Sequence, residues 1–235
     1  MKTVAIHQPQ YLPWLPYIDK IDQVDEFVYL DTVSYQKNGV QNRNRIKTCS
    51  GPIWLTVPVA ARLGVPISRT PVSGSQWAGK HLRTIEQSYA KAEHSNLIDS
   101  GLKDILSWEW HYLVDLNIAA TDWLLGVLGI RTRVIRASDL AASGSAQDLV
   151  LNICGDLGAT KYLSGRGAMA YQTPEDFARA GIELIYQEYE RPVYRQCFPG
   201  DGFLDDLSVL DLVLNCGGDG LPILRSGRPS GQPPS

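Results

Sequence analysis

The spacing of apolar and polar positions divides the chain into a repeating strand and helix grammar. Thr3 to His7 (TVAIH) is short and apolar, and it runs into Gln8-Pro9, where the proline has no N–H to give a ladder. This predicts a buried first strand ending at His7. From Gln10 to Gln23, Tyr11, Trp14, Leu15, Ile18 and Ile21 recur at spacings of three and four, predicting a helix that starts near Pro13 or Pro16. Glu26 to Leu30 then reads as a second strand closed by Asp31. Strand, helix and strand in so short a stretch form a βαβ unit, which requires parallel strands and a right-handed crossover.

Residues 32 to 52 are polar and read as an excursion between strands, after which Ile53 to Val59 (IWLTVPV) resumes strand character. A helix is expected from near Ser75, with Leu82, Ile85, Tyr89 and Ala92 on one face. A longer helical region is expected from about Leu97 to Leu128, ended by Gly129. The opening grammar then returns. Arg131 to Arg136 is a strand, Ala146 to Leu157 a helix and Thr160 to Leu163 a strand. The turn SGRGA leads to a helix from Thr173-Pro174 to Ala180, a strand from Ile182 to Tyr186, and a last helix over Leu207 to Leu214. The predicted fold is α/β: a three-layer, Rossmann-like, mostly parallel sheet with helices on both faces and a helical insertion around residues 75–128. One domain is expected over residues 1–225, with a disordered Pro/Gly/Ser tail over 226–235.

Composition narrows the function classes. The chain has 235 residues, 44% of them hydrophobic, and its 22 Lys+Arg against 25 Asp+Glu leave a net charge of −3. That balance argues against a protein that coats nucleic acid, although a local basic patch is compatible with it. Cys49, Cys154, Cys197 and Cys216 form no CxxC pair and read as reduced thiols. No signal-like or membrane-spanning run is visible, so a cytoplasmic protein is expected.

Candidate chemistry follows from where parallel α/β sheets bind ligands, beyond the carboxyl ends of their strands. Three polar turns leave strands at that edge: His7-Gln8, Asp31 with Tyr35 and Lys37 behind it, and Ser164-Gly165-Arg166-Gly167. His7 is the acid/base candidate, because an imidazole exchanges a proton near neutrality; its alternative role is to hold the Gln8-Pro9 turn. Asn42, Arg43, Asn44, Arg45 and Lys47 suit phosphate or carboxylate, or form a solvated loop. Gly165 and Gly167, with Arg166, offer close backbone approach to an anion or a plain turn. Cys216 is a candidate nucleophile at a helix end, where the helix dipole disfavours thiolate, or a small buried residue. His81, His94 and His111 carry no metal-ligand spacing, and neither metal nor cofactor is expected.

The segments HQPQYLPWLPYIDKI, QNRNRIK, WLTVPV, Trp77 with Lys80-His81, SYAKA, KYLSGRGAMAY and LSVLDLVLNCG, taken together over about residues 2 to 224, resemble the WbqC-like family. The resemblance implies a place in polysaccharide or secondary-metabolite gene clusters and a glycine or aminoacyl transferase role. It marks His7, Gln8, Tyr11, Asn42, Arg43, Ser164, Gly165, Asp211, Asn215 and Cys216 as motif positions without fixed roles. Pro16 and Arg166 depart from the family pattern, which has Gly and Pro there. The first βαβ unit also resembles nucleotidylyltransferase-like folds, but HQPQYLPW stands in place of their H-x-G-H. The expectation is therefore a transferase moving an activated acyl or aminoacyl group to an amine or hydroxyl of a sugar or small metabolite. Its donor would be carrier- or tRNA-linked and the protein a homodimer. A nucleotidyltransferase and a non-catalytic anion-binding module are the alternatives. His7 and Cys216 are the catalytic candidates. Gln8, Tyr11, Asp31, Tyr35, Lys37, Asn42, Arg43, Arg45, Ser164, Gly165, Arg166 and Asn215 are the candidate substrate contacts.

Overall fold

A computed structural model describes residues 1–62 and 64–229, with Asp201 by its backbone alone. Five parallel strands form the sheet: β1 (Thr3–His7), β2 (Glu26–Tyr29), β5 (Arg133–Arg136), β6 (Lys161–Ser164) and β7 (Glu183–Tyr186), in spatial order β5-β2-β1-β6-β7. The chain winds outward from β1 in one direction and then, from β6, in the other. The order therefore reverses between β1 and β6, the point where such sheets open a ligand crevice. Across that seam the strands pair at Thr3–Lys161 and Val4–Tyr162, and the ladder stops before His7 and Ser164.

Side-chain alternation gives the sheet two cores. Val4, Ile6, Val28 and Tyr162 pack with Leu149, Ile153 and Phe177 of α5 (Ala146–Asp156) and α6 (Pro174–Arg179). Ala5, Phe27, Tyr29 and Leu163 face the opposite way. They share a larger core with α1 (Leu15–Asp22), α2 (Gln76–Tyr89), α4 (Leu113–Leu128), α7 (Val209–Cys216) and α8 (Gly220–Ser226). The fold is thus the expected three-layer Rossmann-like arrangement, with the inserted helices on one face.

Three expectations are corrected. The cluster NRNRIK is a strand, β3 (Arg43–Thr48), paired antiparallel with β4 (Gly51–Thr56) in a separate hairpin. Its polar residues obscured a period of two: Arg43 and Arg45 lie over the Trp54 ring, 4.5 and 5.3 Å from its centroid, while Asn44 and Ile46 turn inward. Inward polar groups are satisfied. Asn44 Nδ2 donates to Leu12 O at 2.7 Å, and the fully buried Lys47 donates to Gly202 O at 2.5 Å. The single helical region from Leu97 to Leu128 is instead broken. A short α3 (Lys103–Ser107) ends at Trp108 in extended backbone, and α4 begins afresh at Leu113, stopping at the left-handed Gly129 (φ 73°).

The third correction concerns the tail. Ser226 closes α8, and Arg228 is drawn inward by two carboxylates of α1. Its Nε lies 2.7 Å from Asp19 Oδ1, and a second nitrogen bonds Asp22, which also receives a forked pair from Arg225 at 2.7 and 2.9 Å. Residues 230–235 of the expected tail lie outside the described residues. No helix among the described residues is long and apolar enough to cross a membrane.

Candidate functional site

At the β1/β6 seam lies a cleft of about 380 Å³, lined by His7, Gln8, Lys20, Gln36, Ser164, Gly165, Gly167, Tyr171 and Gln172 among others. His7 is placed there because residues 3, 5 and 7 of β1 face α1. Its ring meets Tyr17 of α1 edge-on, with centroids 5.1 Å apart. His7 Nδ1 is 3.1 Å from Gln8 O. A carbonyl only accepts, so the neutral ring carries its proton on Nδ1 and leaves Nε2 as the acceptor. The ring keeps a partial opening onto the cleft, yet most of its surroundings are protein. Burial, reinforced by the Lys20 ammonium, lowers its pKa from 6.5 to about 3, against a smaller opposing pull from the Gln8 carbonyl.

Lys20 lies on α1, only 3% exposed, and its Nζ is 3.0 Å from the point where a side chain on residue 165 would begin. Gly165 therefore matters for close approach as well as for its turn. Burial lowers the Lys20 pKa to about 8, partly offset by the charge of Asp19. The far wall is fixed by Ser164 Oγ donating to Gln172 Oε1 at 2.8 Å, and Gln8 Oε1 is held by Gln41 Nε2 at 2.6 Å.

The arginines expected beside His7 are elsewhere. Arg43 lines a second cleft, of about 530 Å³, with Tyr35, Lys37, Asn42, Thr56 and Arg62. Lys37, Arg43 and Arg62 take part in no ion pair among the described residues. Arg43 is steadied by Trp54 and by a hydrogen bond to Asn38 O, while Asn42 Nδ2 donates to Val57 O at 2.7 Å. Burial raises the Tyr35 phenol, with Arg43 pulling in the opposite direction. The two clefts lie on either side of the segment after β2, since Gln36 lines one and its neighbours Tyr35 and Lys37 the other. A shared pocket for imidazole and guanidinium is accordingly corrected to two neighbouring clefts. The hairpin pairing turns Arg43 and Arg45 outward, and Arg45 is committed to Asp206.

Other candidates fall out of the site for definite reasons. Tyr11 is fully buried, with its hydroxyl 2.9 Å from His81 Nδ1 in the α2 core. Asp31, also fully buried, accepts from Ser138 N and Oγ at 2.9 and 2.7 Å and ties the ends of β2 and β5 together. Arg166 is exposed and does not line the cleft that Gly165 and Gly167 line. Asn215 and Cys216 sit at the end of α7, apart from His7. Asn215 accepts from Cys197 Sγ at 3.4 Å, and Asp211 holds Tyr89 and Tyr194 hydroxyls, each at 2.8 Å. The Cys216 thiol is pushed up by burial and by Asp211, Glu93 and Asp219, the reverse of what a nucleophile needs.

Sequence reading missed Lys20, Gln36, Tyr171 and Gln172. The available signal for Lys20 was IDKID: three charged residues inside one short helix cannot all face water when apolar residues alternate with them. A groove of about 880 Å³ framed by Trp77, Trp108, Trp110 and Tyr112 was likewise not anticipated. Among the described residues no group of three or more His, Cys, Asp or Glu side chains is placed to hold a metal ion.

Residues 8–222 match the model of the WbqC-like protein family. The uncharacterized protein Rv1507c of Mycobacterium tuberculosis is 35% identical over 229 residues, covering 96% of this chain and 98% of that protein. No solved structure matches the chain. A family match across nearly the whole sequence, on a sheet whose β1/β6 seam carries the HQP and LSG motifs, establishes that the chain belongs to the WbqC-like protein family.

Proposed function

We propose that the protein is a transferase moving an activated acyl or aminoacyl group, glycyl included, to an amine or hydroxyl of a sugar or small metabolite. The observation that carries this reading is the His7 imidazole opening into the seam cleft with its Nδ1 at the Gln8 carbonyl, and burial beside Lys20 disfavours its charged form. The acceptor nitrogen or oxygen attacks the donor carbonyl carbon and forms the new bond. His7 Nε2 takes the proton released by the acceptor. The bond to the leaving group then breaks, and the leaving group takes that proton from His7. An amine acceptor eases this transfer, because its nitrogen becomes more acidic than the free ammonium once it has added to the carbonyl.

The neighbouring basic cleft suits the phosphate of the donor. Lys37, Arg43 and Arg62 line it, no carboxylate does, and guanidinium forks match phosphate oxygens. Acyl transfer is favoured over nucleotidyl transfer by the segment after β1. Pro9 and Pro13 have no N–H, and Tyr11 N is already given to Val40 O, so few amides there can cradle a triphosphate.

The test is a matrix of donors (acyl carrier, acyl-CoA and aminoacyl-tRNA, each carrying a labelled acyl group) against amino-sugar and hydroxylated acceptors, read by product mass. Condensation product with the native chain, lost in His7→Gln, supports the reading. Full turnover in His7→Gln removes His7 from the chemistry. Nucleotide incorporation with pyrophosphate release replaces the reading with nucleotidyl transfer.

A further inference from the structure

The seam cleft holds a charge that its own walls leave unanswered. Lys20 is almost fully buried, and its Nζ makes no hydrogen bond or ion pair among the described residues. The one carboxylate whose field acts on it, Asp19, is committed elsewhere: to Arg228 Nε at 2.7 Å and Gln187 Nε2 at 2.7 Å, with Gln23 as a further donor. No acidic side chain lines the cleft. A buried ammonium without a counterion is costly: it moves toward its neutral form or gains a partner that supplies the missing charge, and a ligand in the cleft is placed to be that partner.

We propose that the seam cleft is a carboxylate site, in which a substrate carboxylate pairs with Lys20 Nζ against Gly165 and lies beside the His7 imidazole. One charge is the reason for a carboxylate rather than a phosphate. The cleft presents one ammonium, no guanidinium fork and a neutral ring, so a monoanion is balanced whereas a dianion is left half-neutralised away from water. The phosphate-like chemistry belongs to the arginine cleft on the other side of the Tyr35–Lys37 segment. This inference deepens the transferase reading and rests on the same cleft as its substrate site; it names the substrate class as one bearing a carboxylate near the reacting atom.

The pairing has a consequence for His7. The ring meets Tyr17 of α1 edge-on and shares the cleft with Lys20 of α1, Tyr162 and Ser164 of β6, Tyr171 of the following turn, and Gln8 and Gln36. Lys20 is the charged one among them. A bound carboxylate cancels the ammonium field and strengthens the imidazole as a base, so the base becomes competent when the site is filled.

The experiment uses the full chain with labelled lysine and histidine side chains, followed by NMR. At neutral pH, acetate should perturb the Lys20 Nζ and His7 ring signals saturably, more tightly than phosphate or chloride, and with affinity falling as pH rises through about 8. Trifluoroacetate, which stays ionised in acid, should raise the His7 titration midpoint by about one unit. Lys20→Met should abolish both responses, and Gly165→Ala, which crowds Nζ while keeping its charge, should weaken them. Absence of a saturable acetate response, phosphate binding as tight as acetate, or a His7 shift that survives in Lys20→Met would each overturn the proposal. Carboxylate binding without any acyl transfer would uphold the site and remove the transferase reading, so the two failures are distinguishable.

Discussion

The two clefts beside the segment after β2 contain similar residue types in opposite physical states. In the seam cleft, Lys20 and His7 are surrounded by protein, and burial moves both toward their uncharged forms. In the arginine cleft, Lys37 and Arg62 are exposed to water and Arg43 is spread over an indole. The difference teaches that cation count does not locate chemistry. A solvated cluster attracts and holds polyanions, with salt screening its reach, whereas a single desolvated ammonium discriminates and adjusts its neighbour.

Breaking the comparison at its most sensitive point gives the largest effect. His7→Gln should lower turnover on an identified donor and acceptor by about 10²–10⁴-fold while leaving ligand affinity nearly unchanged, measured by steady-state kinetics beside binding isotherms. Acid stability is the next lever. The unfolded chain takes protons at His7 and His81 below their ordinary pKa of 6.5, and the folded chain refuses them until about 3 and 4. Stability therefore falls as pH drops from about 6.5, by about 1–2 kcal/mol per histidine near pH ~5, and urea titrations of His7→Gln and His81→Gln should show a flattened slope. The raised carboxyl of Asp211 acts in the opposite direction, nearer its own ordinary range.

Smaller effects separate the arginine cleft from the seam cleft. Arg62→Ala combined with Lys37→Ala should weaken a phosphate-bearing donor about tenfold at low salt and little at high salt, without changing the His7 titration. Cys216→Ser should leave turnover within about twofold, since its thiol is held protonated and lies outside both clefts. A large loss there would return the chemistry to the α7 end.

Much of this arrangement was legible in the residues. The β1 to β2 unit, the second wind from β5 to β7, Gly129 as a stop and His7, Gln8, Ser164 and Gly165 at one seam all follow from period, turn chemistry and strand-end logic. The β3 strand was not legible, because Arg43, Asn44, Arg45 and Lys47 suggest water, while Asn44, Arg45 and Lys47 find partners far away in sequence: Leu12 O, Asp206 and Gly202 O. Lys20 was hidden for the same reason. Its burial depends on β6 and the 165–172 turn closing over α1, and Asp31 became structural through a serine more than a hundred residues away.

The Arg228 contact with Asp19 has a bearing on the seam. That guanidinium balances the buried acidic side chain next to Lys20 in sequence, whose charge also acts on the ammonium. Cutting the chain just ahead of Arg228 would leave the buried Asp19 carboxylate with Gln187 and Gln23 as its donors and no cation in contact, so a loss at the far end of the polypeptide would be felt on the helix that carries Lys20.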